Sequence, residues 1–405
     1  VSPTESAIAN AATGTTEIDP WVADLALLDS QVRALHPNPF AIHPEAEWVA
    51  RLNDLKRTLP SATPDEQIVQ LASLVGLLDS HSSFDGLTKP DGPLAFRFYQ
   101  VALYGFAEGW FVVRAKDPSL VGARLVSVGG VPVAEVEARL RPLIPADNES
   151  GKLNGLDNWM SAAEYLHGLG IVTDPAKPAF VFQQPTGSRV TVDLSVSPDE
   201  TAWENDLDMA SAPIGNVPEA IARRAEPVWT RLDKVSKAFV VSYNDYTSTD
   251  LAAALAAMTG ALDDRSADRV ILDMRYLRGG NGSLADPLIQ ALTVDKRVNR
   301  PGGLTVMIGR ENESAATVVA ASLDAKTQAT FVGESTPARA DNFLCDCRDI
   351  KLPNSGFTVR IPTFTFHTGD SRNSISPEVT QTPTAIDYFA GKDSVLAAAL
   401  IGNAP

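Results

Sequence analysis

Cysteine, histidine and positive charge are scarce in this chain. Of its 405 residues two are cysteine and five histidine, and 50 Asp and Glu against 34 Lys and Arg leave a formal charge of −16. The two thiols, Cys345 and Cys347, are too few for a structural zinc site. One residue apart, they would form a strained bridge, so they read as ordinary loop or strand-end residues. The negative balance argues against a nucleic-acid partner, because phosphate binding needs clustered Lys and Arg. No apolar run approaches the roughly 20 residues of a membrane-spanning helix. What is present is ordinary for a globular protein, 44% hydrophobic and 21% charged residues, with length for two or three domains. The start, VSPTESAIANAATGTTE, lacks an initiator Met and is rich in Ala, Ser and Thr. It reads as a mature terminus after signal removal, which predicts a periplasmic or secreted protein with a flexible leader over 1–18.

Residues 19–92 read as an N-terminal helical bundle. Asp19-Pro20 is a cap with a first-turn proline, and Thr63-Pro64-Asp65-Glu66 is a capping box ahead of a stripe at Ile68, Leu71, Ala72, Val75 and Leu78. That helix runs out at Asp79-Ser80-His81. Over 93–200 the pattern turns β-rich: FRFYQVALYGF, GWFVVRA, ARLVSV and the hairpin FVFQQ-PTGS-RVTVDLSV, with an amphipathic helix after Gly129-Gly130 and another near 156–168. Residues 201–236 read as a linker or excursion. From 237 to 405, strands KAFVVSY, RVILDM, LTVMIG and ATFVGE alternate with helices, which predicts an α/β domain with a mostly parallel sheet. In such sheets the ligand site lies beyond the carboxyl ends of the strands.

The segment GRENESAATVV places Ser314 at a helix mouth beyond one of those strands. A serine there is ordinarily a cap, but three features favour a nucleophile. Gly279 and Gly280 follow the neighbouring strand, where a glycine lets a backbone N–H face a ligand oxygen. The helix behind Ser314 aims its positive end at developing negative charge, with the Ala315 N–H as a second donor. A base is also available, by elimination. Lys326 lies far along the same helix. Making a guanidinium such as that of Arg339 neutral near pH 7 would cost at least ~7 kcal/mol, more than the ~3–5 kcal/mol that general-base help returns. Among the histidines, His36 and His43 flank a turn and His167 ends a helix. His81, in the polar stretch DSHSSFDG, and His367, in FTFHTGD, stay open as candidates.

Taken in order, these segments resemble the tail-specific (C-terminal-processing) serine peptidase superfamily, and within it the branch of the tricorn core peptidase and retinoid-binding-protein-like bacterial enzymes. LLDSHSS resembles the "DGHT" element of the general base, VILDMRYLRGGNG the "DLRxNxGG" element of the oxyanion hole, and GRENESAATVVAASL the "GRxTFSAA" nucleophile segment. FVGEST, ISPEVTQTPTAIDYFAGKDSVLAAAL and GARLVSVGGVPV resemble its "vGEpT", closing and PDZ-like pieces. The resemblance implies a ClpP/crotonase-like catalytic domain with a PDZ-like β-rich domain. It implies Ser314 as nucleophile, His81 as base, Ser80 in support, and Gly280 with Ala315 as the oxyanion hole. Gly279 and Asn281, on either side of Gly280, would then line the substrate. No metal or organic cofactor is implied, and the expected partner is a peptide or protein substrate.

Several positions depart from the pattern. No Glu stands near Ser371, where a supporting Glu would fall; the neighbouring Asp370 is the expected replacement. Leu277 replaces the motif's Asn. Glu313 directly precedes the nucleophile, where an ionised carboxylate facing inward would oppose an oxyanion, so it is expected to face out. Two other readings stand beside the peptidase: a binding protein for an apolar or peptide ligand that lost efficient catalysis, and a hydrolase of esters or small peptides.

Overall fold

The computed structural model describes residues 19–84, 96–197, 216–344 and 346–401. The leader expected over 1–18, most of the acidic stretch after 197, and Cys345 lie outside the described residues. The first helices are α1 (Pro20–Leu35), α2 (Glu45–Thr58) and α3 (Pro64–Val75). Their caps form as the residues dictate: Asp19 accepts from the Trp21 N–H at 2.9 Å, and Glu66 accepts from the Thr63 N–H at 2.8 Å.

Next come β1 (Val101–Phe106), β2 (Gly109–Ala115), β3 (Arg124–Val128), β4 (Val131–Pro132), α4 (Val133–Leu140), α5 (Glu149–Trp159), α6 (Ala163–Gly168), β5 (Phe180–Gln183) and β6 (Arg189–Val192). The strands make an antiparallel sheet in the order β1-β2-β3-β5-β6, with β4 beside β3. The single helix expected near 156–168 is two. The break falls where Ala162 leaves helical geometry to pair with Phe98.

The remainder holds α7 (Glu219–Ala222), β7 (Val228–Asp233), β8 (Ala238–Tyr243), α8 (Ser248–Asp263), β9 (Arg269–Asp273), α9 (Asp286–Val294), β10 (Leu304–Ile308), α10 (Ala315–Lys326) and β11 (Thr330–Gly333). It ends with β12 (Asn342–Leu344), β13 (Arg348–Lys351), β14 (Thr358–Ile361), β15 (Phe364–Phe366), β16 (Val379–Thr380), α11 (Ala385–Phe389) and α12 (Ser394–Ile401). The main sheet runs β16-β11-β10-β9-β8-β7, parallel throughout except for the edge pair β7–β8. Residues 228–233 therefore belong to this sheet and not to a linker, because every residue of β7 pairs with β8. Helices cover both faces. Leu251, Leu288, Val319 and Leu323 pack on one side, and Val395, Leu396 and Ala399 of α12 on the other. Burial on both faces explains why strands such as LTVMI are apolar without alternation.

Several contacts join the two regions. Ile350, Val359 and Ile361 of the β13–β14 hairpin enter the core built by α1–α6 and β1–β6, which also runs unbroken across the 92/93 boundary expected between helical and β-rich parts. Ser83 and Arg360 exchange backbone hydrogen bonds at 2.9 and 2.8 Å. Arg310, fully buried after β10, donates from Nη2 to the Gly105 carbonyl at 2.6 Å and lies 4.1 Å from the Tyr104 ring centroid. These contacts set the end of α3 against the carboxyl ends of the parallel strands.

Candidate active site

Ser314 caps α10 with φ 54° and ψ −123°. A non-glycine residue in the positive-φ region stores about 1–3 kcal/mol and persists only where its surroundings hold it. The holder is Asn312, fully buried between two loops. Its Oδ1 accepts from the Gly309 N–H at 2.8 Å, and its Nδ2 donates to the carbonyls of Leu277, at 2.8 Å, and Met274. The Thr317 hydroxyl donates to the Asn312 carbonyl from the first turn of α10. A strained strand-to-helix turn carrying a serine is the geometry of a nucleophile elbow.

The glycine loop lies against this turn. A Cβ on Gly279 would sit 3.0 Å from the Cβ of Ser314 and 3.4 Å from its hydroxyl oxygen, so an added methyl would crowd the Ser314 side chain. Gly280 has φ 151°, and a Cβ there would meet the Tyr246 ring at 2.8 Å. Gly282 lies beside Ala315, at ordinary contact distance of 3.4 Å for an added Cβ. The expected oxyanion residues Gly280 and Ala315 are thus brought to one place, with Gly279 and Asn281 beside them.

His81 is half-buried in the turn after α3 and is fixed from several directions. Its N–H donates to Asp79 Oδ1 at 2.8 Å, while Asp79 Oδ2 meets His36 Nε2 at 2.6 Å and the Ser82 hydroxyl at 3.0 Å. Burial alone would raise the Asp79 carboxyl; the hydrogen bond and charge of His36, with His81 adding to them, hold it below its ordinary range. Asp147 bridges the two regions: its carboxylate accepts from the Ser80 N–H and the Arg339 N–H, each at 2.9 Å. Cys347 Sγ lies 4.0 Å from the His81 carbonyl oxygen. The Ser80 hydroxyl is 3.5 Å from His81 Nδ1, at the limit of hydrogen bonding.

Glu313 departs from expectation. It does not face out but is half-buried; burial raises its carboxyl above the ordinary range, Arg278 and His81 oppose that rise, and Glu311 adds to it. Glu313 and His81 therefore lie within each other's field, which links the turn after α3 to the residue before Ser314. Glu311, by contrast, is locked between Arg224, at 2.6 Å, and Arg278, at 2.8 Å. Asp370, expected to support His81, is instead occupied by Arg372, which donates its N–H at 3.0 Å and its guanidinium Nε and Nη2 to the carboxylate. A partner two residues away wins over one across the fold.

The other histidines fall elsewhere. The His367 side chain is 74% exposed, with Asp341 at 3.5 Å. His167 joins α6 to α3 through Asp65 at 2.6 Å, and His43 pairs with Glu47 at 3.0 Å. His36, read as a turn residue, lies buried beneath the His81 turn. Cys347 is disulfide-bonded, against the reading of both cysteines as ordinary residues; Cys345 is the other cysteine of the chain. Sequence reasoning missed Asp147 and Asn312. No spacing signals Asp147, whereas Asn312 stood in the nucleophile segment itself.

No protein-family model matches the sequence, and no curated protein matches it. Solved structures do match. Mature CPAF complexed with lactacystin aligns with TM-score 0.64 at 14% identity, over 94% of this chain and 98% of that one. Mature CPAF aligns with TM-score 0.63 at 14% identity, over 94% and 97%. A photosystem II D1 C-terminal processing protease covers 94% and 99% at 15% identity, but its TM-score of 0.39 carries no argument. At such identities the likeness is one of fold: the chain shares the fold of mature CPAF and spans nearly the whole of the CPAF structures.

Proposed function

We propose that this protein is a serine hydrolase of the peptidase type. The observation that carries the reading is the strained Ser314 elbow pressed against Gly279. Ser314 Oγ attacks a substrate carbonyl while His81 accepts its proton; the carbonyl π electrons move onto oxygen, facing the N–H groups of Gly280 and Ala315. One such donor supplies roughly 3 kcal/mol in the transition state. His81 then returns the proton to the leaving amine as the C–N bond breaks, and a water repeats the cycle on the acyl-enzyme. Glu313, not Asp370, is the carboxyl within the field of the imidazolium; its burial, which disfavours ionisation, limits the charge set against the oxyanion, and Ser80 stands beside the ring. On this reading the parallel sheet is the ClpP/crotonase-like catalytic layer and the antiparallel sheet a PDZ-like unit.

The disulfide at Cys347 supports a periplasmic or secreted location, because such bonds persist in oxidising compartments. Labelling by a fluorophosphonate at neutral pH tests the proposal. The parent chain should label, Ser314→Ala should not, and His81→Ala should label at least ~100-fold more slowly. Labelling that survives in Ser314→Ala removes that residue from the role. One observation favours the binding-protein alternative: among the described residues no carboxylate hydrogen-bonds the His81 ring. A parent chain inert to the probe would decide for that alternative.

A further inference from the structure

The loops that follow β8 and β9 meet because these strands are parallel neighbours and leave the sheet at the same end. The first loop carries Tyr246, whose side chain packs against the core of the parallel sheet. The fully buried Tyr243 ring stands edge-on to it, with centroids 5.8 Å apart and planes at 81°. The backbone around Tyr246 is tied down as well. Its N–H donates to Asp245 Oδ1 at 2.7 Å, and the N–H groups of Asn244 and Asp245 donate to the Pro227 carbonyl at 2.8 and 3.2 Å. Asn244 Nδ2 donates to the Glu226 carbonyl at 2.9 Å. The ring is an anchored surface.

The second loop rests on it. A Cβ on Gly280 would lie 2.8 Å from Cδ2 and 3.2 Å from Cε2 of Tyr246, whereas one on Gly279 would face Ser314. Two consecutive glycines restrict their own backbone very little, so the direction of the Gly280 N–H is set by what the loop packs against. The phenol oxygen takes no part in this. Among the described residues the Tyr246 hydroxyl is buried without a hydrogen-bond partner, as is that of Tyr243. Burial raises both phenols above their ordinary range, so neither supplies an anion near neutral pH. We propose that Tyr246 is the positioning residue of the oxyanion loop: its ring is the stop on which Gly280 rests, and it keeps the Gly280 N–H aimed at the oxyanion. The role of that N–H rests on the peptidase reading; the packing itself needs no reaction.

The test compares the full parent chain with Tyr246→Phe and Tyr246→Leu. Fluorophosphonate labelling reads the oxyanion hole, and hydrogen–deuterium exchange over residues 277–285 reads the loop. Tyr246→Phe keeps the ring and removes an unpaired hydroxyl, so it should melt no lower than the parent and match it in both measurements. Tyr246→Leu should label about tenfold more slowly, a part of the roughly 100-fold or more that one oxyanion donor is worth, and its glycine loop should exchange faster. Tyr246→Met, which fills the space with a flexible chain, replaces Tyr246→Leu if that variant does not melt cooperatively. Positioning requires both changes together. Labelling at the parent rate, or unchanged exchange of the loop, overturns the proposal. So does a Tyr246→Phe slowed as far as Tyr246→Leu, which would assign the effect to the hydroxyl. A parent that does not label removes the peptidase reading, and exchange then decides by itself whether Tyr246 holds the loop.

Discussion

Replacing Asp147 by Asn tests how His81 is held. The carboxylate accepts two backbone N–H groups at 2.9 Å, one from Ser80 beside His81 and one from Arg339 beyond β11. Asparagine keeps one acceptor oxygen and turns an NH₂ toward the other donor. One hydrogen bond to a charged group is lost, about 1.5–3 kcal/mol, and a buried N–H is left unpaired. Asp147 is 6% exposed, so solvent screening takes little from that figure. Because burial and Asp79 already disfavour the ionised carboxyl, removal of its charge opposes that loss, leaving a net destabilisation below about 1 kcal/mol. Loosening the His81 turn by about 1 Å should also cost roughly 100-fold in reaction rate.

The pH dependence carries a definite sign. Burial and the neighbouring Asp79 raise the Asp147 carboxyl, so the native state binds more protons than the unfolded chain just above the ordinary carboxylate range. This group's contribution is therefore full below the unfolded value and is lost as pH rises through the folded one. Thermal melts of the parent should show that slope, and Asp147→Asn should lack it. Fluorophosphonate labelling at the parent rate, together with an unchanged melt, would refute the bridging role.

Other predictions follow from the same geometry. Ser314→Gly relieves about 1–3 kcal/mol of backbone strain against about 0.5–1 kcal/mol of added chain entropy, so it should melt higher than Ser314→Ala while labelling no better. Glu313→Gln should slow labelling about tenfold by removing charge near His81. Because burial raises the Glu313 carboxyl, its ionised form is the destabilised one; the variant should gain stability over the parent above the raised value, and the gain should vanish as pH falls into the ordinary carboxylate range. Gly279→Ala should depress labelling with a small change in melting, since its Cβ would crowd Ser314 at 3.0 Å; a normal rate would place the hydroxyl elsewhere.

What could be read from the sequence was local in origin. The parallel sheet was legible because each buried strand is a short apolar run followed by a periodic helix, and Ser314 because a strand, a polar turn and a helix stand consecutively around it. The edge strand β7 was not, because its partly exposed pattern resembles a linker until β8 is placed beside it. Asp147 was beyond reach: its partners lie 67 and 192 positions away. The direction of Glu313 depends on the positive φ of the next residue, which no propensity predicts for serine. Asp370 is engaged by Arg372, two positions on, a local pairing that its place in the sequence did not signal.

For the proposed chemistry His81 must meet Ser314 across more than half of the chain. A crystal structure of the fluorophosphonate adduct examines that meeting directly. It should show phosphorus bonded to Ser314 Oγ, the phosphoryl oxygen facing the N–H groups of Gly280 and Ala315, and a His81 ring nitrogen about 3 Å from Oγ. An adduct with the His81 ring turned away, or with His367 in its place, would contradict it.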